Sequence, residues 1–229
     1  MQPVLVSVII PTMNEVRSIG RVLEELKEAF STSPYSYEVL VVDTLSKDGT
    51  VAIAEDMGAR VLHEGRRGYG RAYMTGFASA RGDYIATLDA DCTYPAKDVT
   101  MLVSRLESEG LDFISCNRMA GLTRDAMELP HRLGNFMLNM AVRLLHGRSL
   151  QDSQSGMWIF RRRILSNLRL TSEGMSFSEE IKLEAMDAGL RFAEVPIEYR
   201  PRTGEPKLRS WADGWTNLRY LLDRRLRTV

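Results

Sequence analysis

The sequence predicts an α/β fold with a doubly wound, mostly parallel central sheet and C-terminal amphipathic helices. Three observations indicate this fold. Short apolar runs alternate with segments of helical periodicity through the first half of the chain. The first of these runs is apolar except for Ser7, as in parallel strands that are buried on both faces. Polar residues suited to ligand binding follow several runs, where the carboxyl ends of parallel strands meet.

Each predicted strand is a short run rich in apolar and β-branched residues, bounded by turn formers or acids. The first run ends at Pro11 and the second at Asp43. The predicted strands are Val4–Ile10, Tyr37–Val42, Arg60–His63, Asp83–Leu88, Leu111–Cys116, Met157–Phe160 and Leu190–Tyr199.

The predicted helices lie between these strands and carry apolar residues at helical spacing. Asn14 is expected to cap the first helix, and Asp48 a short second helix that stops at Gly58. The stripe of the first helix is Ile19, Val22, Leu23, Leu26 and Phe30. A third helix is expected before Gly82, and the others at Asp98–Glu109, Arg132–His146, Ser178–Ala188 and Ser210–Leu226, the last with Trp211, Trp215, Leu218 and Leu222 in register.

The chain has 229 residues, 44% of them hydrophobic, and is expected to form a single domain spanning residues 1–229. A formal net charge of zero argues against nucleic acid as a partner. Cys92 and Cys116 form no disulfide framework, which favours a cytoplasmic setting. The N-terminal run is interpreted as a strand rather than a signal peptide. No apolar stretch approaches the roughly 20 residues that a membrane-spanning helix needs.

The strongest chemical signal is the pair Asp89 and Asp91, which follows the fourth predicted strand. Two carboxylates at this spacing can share one divalent cation that also holds a diphosphate. A single acid at such a place is more commonly a helix cap, the interpretation favoured for Asp48. A dinucleotide site is disfavoured because PTMNE, rather than a glycine-rich turn, follows the first strand. The loop Gly65–Arg71, rich in glycine and arginine, either contacts the phosphate groups of a bound nucleotide donor or is a flexible surface loop.

The motifs resemble those of the inverting family 2 glycosyltransferases, close to the dolichyl-phosphate mannosyl- and glucosyltransferases. The resemblance spans nearly the whole chain in the family's order. The matching segments are VSVIIPTMNE (6–15), VVDTLSKDGT (41–50), GRAYMTGFASARGDYIATLDADCTYP (70–95), DSQSGMWIFRR (152–162) and EVPIEYRPRTGEPKL (194–208).

This resemblance implies the GT-A fold of nucleotide-diphospho-sugar transferases, a Mg2+ or Mn2+ cofactor and a nucleotide-sugar donor. Residues 1–118 would form the nucleotide-sugar-binding half, and residues 119–229 the acceptor-binding half with the C-terminal helix. The implied donor-binding residues are Pro11, Asn14, Glu15, Asp43, Asp89 and Lys207, with Asp89 and Asp91 as metal ligands. Arg118 and Arg132 would hold an acceptor phosphate, and Arg202 and Lys207 would contact phosphate oxygens. The implied catalytic residues are Asp91, Arg118, Arg132 and Arg202.

The chain departs from the family at the end of the second strand. Relatives usually carry a second acid and a glycine after the residue that matches Asp43, whereas this chain has Thr44 and Leu45. The departure concerns the fine contacts to the nucleotide.

The expected reaction is inverting transfer of a hexose from GDP-mannose or UDP-glucose to a polyprenyl or dolichyl phosphate. The alternative is a soluble family 2 enzyme that acts on a hydroxyl of a saccharide or small molecule. A hydroxyl acceptor would need a base, for which Glu179 and Glu180 are candidates. Both are equally well explained as first-turn acids that the helix dipole favours. A sugar nucleotidyltransferase is disfavoured because the glycine-rich signature of that class does not follow the first strand of this chain. A binding module without activity is disfavoured because Asp89, Asp91, Arg202 and Lys207 are all present.

Charge in the second half favours a membrane surface. No acid lies between Glu128 and Asp152, and residues 200–229 hold eight Lys or Arg against three acids. The helix Arg132–His146 either packs into the core or lies on an anionic membrane. Its predicted apolar face comprises Leu133, Phe136, Met137, Met140, Ala141, Leu144 and Leu145, and Leu138 and Val142 widen it. The second interpretation implies peripheral association with the cytoplasmic face of a membrane.

Overall fold

The computed structural model describes residues 5–121, 127, 129–204 and 210–228. Its centre is a seven-stranded sheet in the order β3-β2-β1-β4-β6-β5-β7. Strand β6 is antiparallel to both of its neighbours, and the other paired strands are parallel. The predicted α/β fold with a mostly parallel sheet is confirmed. The strands are β1 (Leu5–Thr12), β2 (Ser36–Asp43), β3 (Arg60–His63), β4 (Tyr84–Thr87), β5 (Phe113–Asn117), β6 (Trp158–Arg161) and β7 (Phe192–Pro196).

The described helices match the predicted ones, apart from a few residues at their ends. The described residues also form short 3-10 helices, which precede α4 (Ala96–Asp98), follow β5 (Met119–Gly121) and follow β6 (Arg162–Asn167). The α-helices are α1 (Ile19–Ser31), α2 (Thr50–Asp56), α3 (Tyr69–Ser79), α4 (Val99–Ser108), α5 (Leu129–His146), α6 (Phe177–Asp187) and α7 (Ser210–Thr228).

The prediction that Asn14 caps the first helix is wrong. Helix α1 begins at Ile19, because a tight turn intervenes in which the Glu15 carbonyl accepts hydrogen bonds from the backbone N–H groups of Ser18 and Ile19. Asn14 instead has a left-handed backbone with φ of 55°. The predicted cap at Asp48 is off by one residue: Gly49 is the N-cap of α2, and Asp48 just before it accepts a hydrogen bond from the Thr50 N–H through its Oδ1.

Apolar side chains cover both faces of the sheet. One layer packs α1 and α4 against the face that carries Val8 and Ile10. The other packs α3 and α6 against the face that carries Ile9, and it contains a group of stacked aromatic rings around Trp158. Because consecutive β1 residues point to opposite faces, a strand that is apolar on both faces, as β1 is apart from Ser7 and its last residue Thr12, suits a sheet covered on both sides.

The sheet places its ligand-binding crevice at the carboxyl ends of β1 and β4. Strands β2 and β3 extend from one side of β1, and β4 lies on its other side, so the winding direction reverses here. Ligands of open α/β sheets bind at such a switch point. Thr12 at the end of β1 is in register with Asp43 at the end of β2, which brings both loops to one edge.

Helices α5 and α7 pack against each other at the edge of the fold. On both helices, residues of the predicted apolar face are exposed instead of buried. The buried α5 residues are Asn135, Leu138 and Val142. Leu138 and Val142 belong to a small third apolar cluster that also contains Leu221 of α7. In the part of the chain that the structure describes, α5 does not pack completely into the core, because several of its apolar side chains stay exposed. The apolar α5 residues left exposed are Leu129, Leu133, Phe136, Met137, Met140 and Leu144.

Helix α7 likewise exposes residues of its predicted apolar face. Among the α7 side chains that the structure describes, Asn217 and Leu221 are buried, whereas Trp215 of the predicted apolar face is 68% exposed and Leu222 is also exposed. The Trp211 side chain lies outside the described part of the chain. Within the described residues, no helix is both long enough and apolar enough to cross a bilayer.

Candidate active site

Asp89 lies just beyond the end of β4 and faces helix α3 and the segment before β6. Its Oδ1 is 3.4 Å from the hydroxyl of Tyr69, which donates to it. Gly156 lies against both groups: a Cβ at this position would come within 2.1 Å of the Tyr69 oxygen and 3.6 Å of Asp89 Oδ1. A glycine is therefore required for the segment before β6 to approach Asp89.

Asp91 is 2% exposed, and protein groups contact both of its carboxylate oxygens. Oδ1 accepts hydrogen bonds from the Thr93 N–H at 3.0 Å and the Thr93 hydroxyl at 2.6 Å. Oδ2 forms an ion pair with Arg202 Nη2 at 2.7 Å. The segment after β7 therefore lies over the turn that carries both acids. Lys207, predicted to act with Arg202, lies outside the described residues.

The chemistry of Asp89 and Asp91 fits a divalent cation. Burial and the neighbouring charge of Asp91 raise the pKa of Asp89 to about 7. Carboxylates that resist ionising together are stabilised by a cation between them. The described residues contain no group of three or more potential metal ligands. A pair of carboxylates nevertheless suffices for Mg2+ when phosphate oxygens and water complete its coordination.

The predicted nucleotide-binding residues come together beside this pair. Asp43 is buried, and its carboxylate accepts hydrogen bonds from the Thr12 hydroxyl and the Ser46 N–H, both at 3.0 Å. The Glu15 N–H donates to the Thr50 hydroxyl at 2.8 Å. The loops after β1 and β2 are thus joined into one surface.

Pro11 and Asn14 lie at the same edge. Pro11 pairs in register with Val42 of β2. The Asn14 N–H donates to the Ser46 hydroxyl at 2.7 Å, and its side-chain oxygen accepts from the Lys47 N–H at 2.9 Å. All four predicted residues of the nucleotide pocket therefore lie at or just beyond the carboxyl ends of β1 and β2, on the edge of the sheet that carries the crevice.

Left-handed backbone conformations mark this edge. Among the described residues, the non-glycine positions with positive φ are Asn14, Leu45 and Cys92. They follow β1, β2 and β4 respectively. Such strain is uncommon for non-glycine residues and clusters at functional sites. The residue type at Leu45 gave no sign of it, because leucine rarely adopts positive φ.

Arg118 does not present a free guanidinium to the crevice, contrary to the expectation. Its Nε and Nη2 bind the two carboxylate oxygens of Asp152, each at 2.8 Å, and its backbone N–H also donates to Asp152. Its guanidinium lies 5.3 Å from the centre of the Tyr199 ring. Asp125 and Glu128, which a sequence-based pairing with Arg118 or Arg132 would use, lie outside the described residues.

Arg132 differs from Arg118 in every respect that matters for ligand binding. It is exposed on the first turn of α5 and forms no ion pair with another described residue. It lines a surface cavity of about 230 Å³ with Met119, Phe136, Asn139 and Gln151. The cavity lies at the carboxyl end of β5, because Asn117 donates to the Gln151 side chain at 2.9 Å. The two arginines therefore do not act as an equivalent pair.

Sequence reasoning missed Asp152 and Lys182, which organise this region. Asp152 also accepts a hydrogen bond from Asn135 of α5 at 3.1 Å. The wholly buried Lys182 amine donates to the carbonyl oxygens of Asp152, Ser153 and Ser155 at 2.8–2.9 Å. One signal was available: Asp152 is the first acid after the acid-free span that follows Glu128.

The two candidate bases are both engaged within the protein. Glu180 accepts hydrogen bonds from the N–H and hydroxyl of Thr171 and from the Ser172 N–H. Glu179 is wholly buried, accepts a hydrogen bond from Gln154 at 2.7 Å, and has a pKa raised by burial to about 8.

The loop after β3 is also fixed at one end. Arg71 forms an ion pair with Glu173, and its N–H donates to the Glu173 carbonyl. Arg66 and Arg67 are exposed. The arginine at the end of this loop is therefore structural, whereas the two exposed arginines remain candidates for donor contact.

A sheet of this topology, with paired acids at its switch point, is typical of nucleotide-sugar transferases. The sequence matches the family model described as Glycosyl transferase family 2 over residues 7–169, and the chain belongs to that family.

Among particular proteins, the low-salt glycan biosynthesis hexosyltransferase Agl6 of Haloferax volcanii is 37% identical over 218 residues. The match covers 94% of this chain but 52% of Agl6, so the chain spans about half the length of that relative. The dolichyl-phosphate hexose transferase of the same organism is 33% identical over 210 residues, covering 91% of this chain and 88% of that protein.

A solved structure shows the same fold. Glucosyl-3-phosphoglycerate synthase from Mycobacterium tuberculosis, in complex with Mn2+, UDP-glucose and phosphoglyceric acid, superposes with a TM-score of 0.79 at 24% sequence identity. The match covers 97% of this chain and 80% of that one. The chain thus has the GT-A type of α/β architecture.

Proposed function

We propose that this chain is a metal-dependent, inverting hexosyltransferase whose donor is a nucleoside-diphosphate sugar and whose acceptor is a polyprenyl or dolichyl phosphate. Residues 1–118 supply the donor site, and residues 119–229 supply the acceptor site. The similarity to a dolichyl-phosphate hexose transferase over 91% of the chain supports this choice of acceptor.

The donor side rests on the edge formed by β1, β2 and β4. The nucleoside lies against Pro11, Asn14, Glu15 and Asp43, and GDP-mannose and UDP-glucose are the candidate donors. Asp89 and Asp91 hold Mg2+ or Mn2+, which when bound neutralises charge on the departing nucleoside diphosphate. Arg202 and Lys207 bind the phosphate oxygens, because guanidinium and ammonium donors suit them.

The acceptor assignment is carried by one observation: the acids that a hydroxyl acceptor would need as a base are buried and engaged. Glu179 has no exposed surface, and Glu180 is held by Thr171 and Ser172. A phosphate oxygen is already anionic at neutral pH and needs no strong base. Arg132, in an open cavity, orients it for attack on the anomeric carbon from the face opposite the leaving group. Arg118 is held by Asp152, so it contributes positive electrostatic potential near the site but does not offer a pair of free N–H donors to the acceptor phosphate.

The exposed apolar surface of α5 and α7 supports a membrane-bound acceptor. Arg132 and Phe136 line the acceptor cavity on the same helix that carries this surface. A polyprenyl chain leaving the cavity would therefore meet apolar side chains and basic residues, the combination that favours an anionic bilayer surface. The protein works as a peripheral protein at the cytoplasmic face. The apolar side chains are Leu129, Leu133, Phe136, Met137, Met140, Leu144, Trp215, Leu222 and Leu226.

A second candidate is a soluble transferase whose acceptor is a small phosphorylated or saccharide hydroxyl compound. The fold shared with glucosyl-3-phosphoglycerate synthase favours it, because that protein was crystallised with phosphoglyceric acid. In this case the Arg132 cavity binds the acceptor's phosphate, and a carboxylate such as Glu179 must become accessible to take the hydroxyl proton.

The deciding experiment offers each radiolabelled donor with Mn2+ or Mg2+ to two acceptors, a short polyprenyl phosphate and 3-phosphoglycerate. The proposal expects label in the organic phase with polyprenyl phosphate, and none with Asp91→Asn or with excess chelator. Label appearing only in water-soluble product with 3-phosphoglycerate would replace the proposal with the second candidate. Full activity in chelator would exclude the metal.

A further inference from the structure

The ion pair between Arg202 and Asp91 lies at the position proposed for the cation. The Arg202 Nη2 is 2.7 Å from Asp91 Oδ2. The other carboxylate oxygen accepts two hydrogen bonds from Thr93. Asp91 is thus neutralised and fully hydrogen-bonded by the chain itself, although it is almost completely buried.

Backbone hydrogen bonds on both sides hold Arg202 in this place. The Arg200 N–H donates to the Thr93 carbonyl at 3.0 Å, and the Thr203 N–H donates to the Asp91 carbonyl at 2.9 Å. The Arg202 side chain itself is 28% exposed. A rotation of this side chain therefore suffices to release Asp91, while the segment that carries it stays docked.

We propose that Arg202 is an internal counter-ion that keeps a divalent cation from binding Asp89 and Asp91 until a nucleoside diphosphate arrives. A cation approaching Asp91 alone would meet the positive guanidinium only a few ångströms away and would have to displace it. A diphosphate offers the guanidinium a new anionic partner with matching geometry. Metal and nucleotide then bind with positive coupling, which by linkage is the same in both directions.

This inference rests on the proposed donor site, and its test needs neither acceptor nor turnover. Binding of Mn2+ is measured from the electron paramagnetic resonance signal of the free ion, with and without UDP or GDP. Wild-type protein is expected to bind Mn2+ weakly alone and much more tightly with nucleotide. Arg202→Gln should tighten nucleotide-free Mn2+ binding by about ten- to a hundred-fold, the weight of one charged hydrogen-bonding partner, and reduce the coupling.

Two variants make the comparison specific. Arg202→Lys keeps the positive charge and should bind nucleotide-free Mn2+ nearly as weakly as wild type. Arg200→Gln removes a guanidinium from the same segment that pairs with Glu25 rather than Asp91, and should leave Mn2+ binding unchanged.

The outcomes separate this inference from the donor-site proposal. Unchanged or weaker nucleotide-free Mn2+ binding in Arg202→Gln, with wild type still binding Mn2+ together with nucleotide, overturns the counter-ion role alone. Failure of wild type to bind Mn2+ even with nucleotide overturns the metal site, and the counter-ion role with it.

Discussion

Arg118 and Asp152 form a buried, two-pronged ion pair that joins the end of β5 to the segment before β6. Both prongs are 2.8 Å long, and Asp152 has no exposed side-chain surface. Asn135 binds the same carboxylate from α5, so three separate segments of the chain meet on one acid. Arg118 thereby shapes the site mainly by holding its walls together.

Loss of the Asp152 charge is expected to destabilise the protein strongly. Asp152→Asn leaves the Arg118 guanidinium buried without its counter-ion, and broken buried pairs cost about 3–5 kcal/mol. Urea denaturation at pH 7 measures the change. Asp187→Asn is the matched control, because Asp187 pairs with Arg148 and Arg224 at a partly exposed position and should lose less than about 1 kcal/mol. Equal losses in the two variants would contradict the buried pair's importance.

The same carboxylate predicts a pH dependence of stability. Burial by itself would raise the pKa of Asp152, but Arg118 outweighs burial and lowers the pKa to about 2. The native pKa is depressed, so the contribution is present above the unfolded-state pKa of about 3.9 and is lost as pH falls towards 2. A shift of this size corresponds to roughly 2 kcal/mol. The unfolding free energy of wild type should therefore fall more steeply between pH 5 and pH 2.5 than that of Asp152→Asn; parallel curves would refute this.

Removal of the Arg132 side chain is expected to impair the acceptor step alone. Arg132→Ala should slow transfer to polyprenyl phosphate by about ten- to a hundred-fold, the equivalent of one charged hydrogen bond. Its unfolding free energy should stay within about 0.5 kcal/mol of wild type, because the residue is exposed. Nucleotide affinity should not change. Arg143→Ala, exposed on the same helix, is the control and should keep full activity. Weakened donor binding in Arg132→Ala would assign Arg132 to the donor site instead.

The apolar surface of α5 should determine membrane binding. Phe136 and Leu144 are 59% and 77% exposed, so changing both to serine removes apolar area without opening the core. Burial of such side chains contributes about 1.5–3 kcal/mol each, and the double variant should lose at least tenfold in affinity for anionic vesicles. Flotation at low salt measures this. Met101→Ser, at an exposed methionine of α4, should float like wild type. Similar flotation of all three proteins would point to the basic residues alone.

Glycine at position 45 is expected to stabilise the fold. Leu45 has φ of 55°, and its side chain is 57% exposed, so it contributes little packing to offset the strain. A left-handed conformation costs a non-glycine residue roughly 1–2 kcal/mol, part of which glycine loses again through its greater chain entropy. Leu45→Gly should therefore raise the unfolding free energy by about 0.5–1 kcal/mol. Lys47→Gly, at an exposed position with negative φ in the same loop, should lower it.

Local patterns in the sequence were sufficient to predict the helices and strands and the acids at the carboxyl edge of the sheet. A continuous apolar strand followed by a polar turn contains the information that places Asp43, Asp89 and Asp91 together, because parallel strands share one carboxyl edge. The stripe of α1 from Ile19 to Phe30 was likewise buried as predicted. These features depend on residues near one another in the chain.

Features that depend on distant partners were not predictable in the same way. Arg118 and Asp152 are 34 residues apart, and no periodicity links them. The buried side of α5 is set by where α7 packs, so hydrophobicity alone selected a face that is largely exposed. Asn14 was expected to cap a helix because its residue type is common there, but the turn made by Glu15 and Ser18 moved the helix start.

The antiparallel strand β6 has a consequence for how the chain can be made. Strands β4 and β5 both lie within the first 118 residues, yet each pairs with β6, and the other neighbour of β5 is β7. A nascent chain that has emerged only to residue 118 therefore holds β5 without any partner strand. Its apolar residues, including Phe113 and Ile114, would be left at an open edge that favours association with other chains. Residues 1–118 are consequently expected to aggregate when they are expressed alone, and translation must reach residue 196 before the sheet can close.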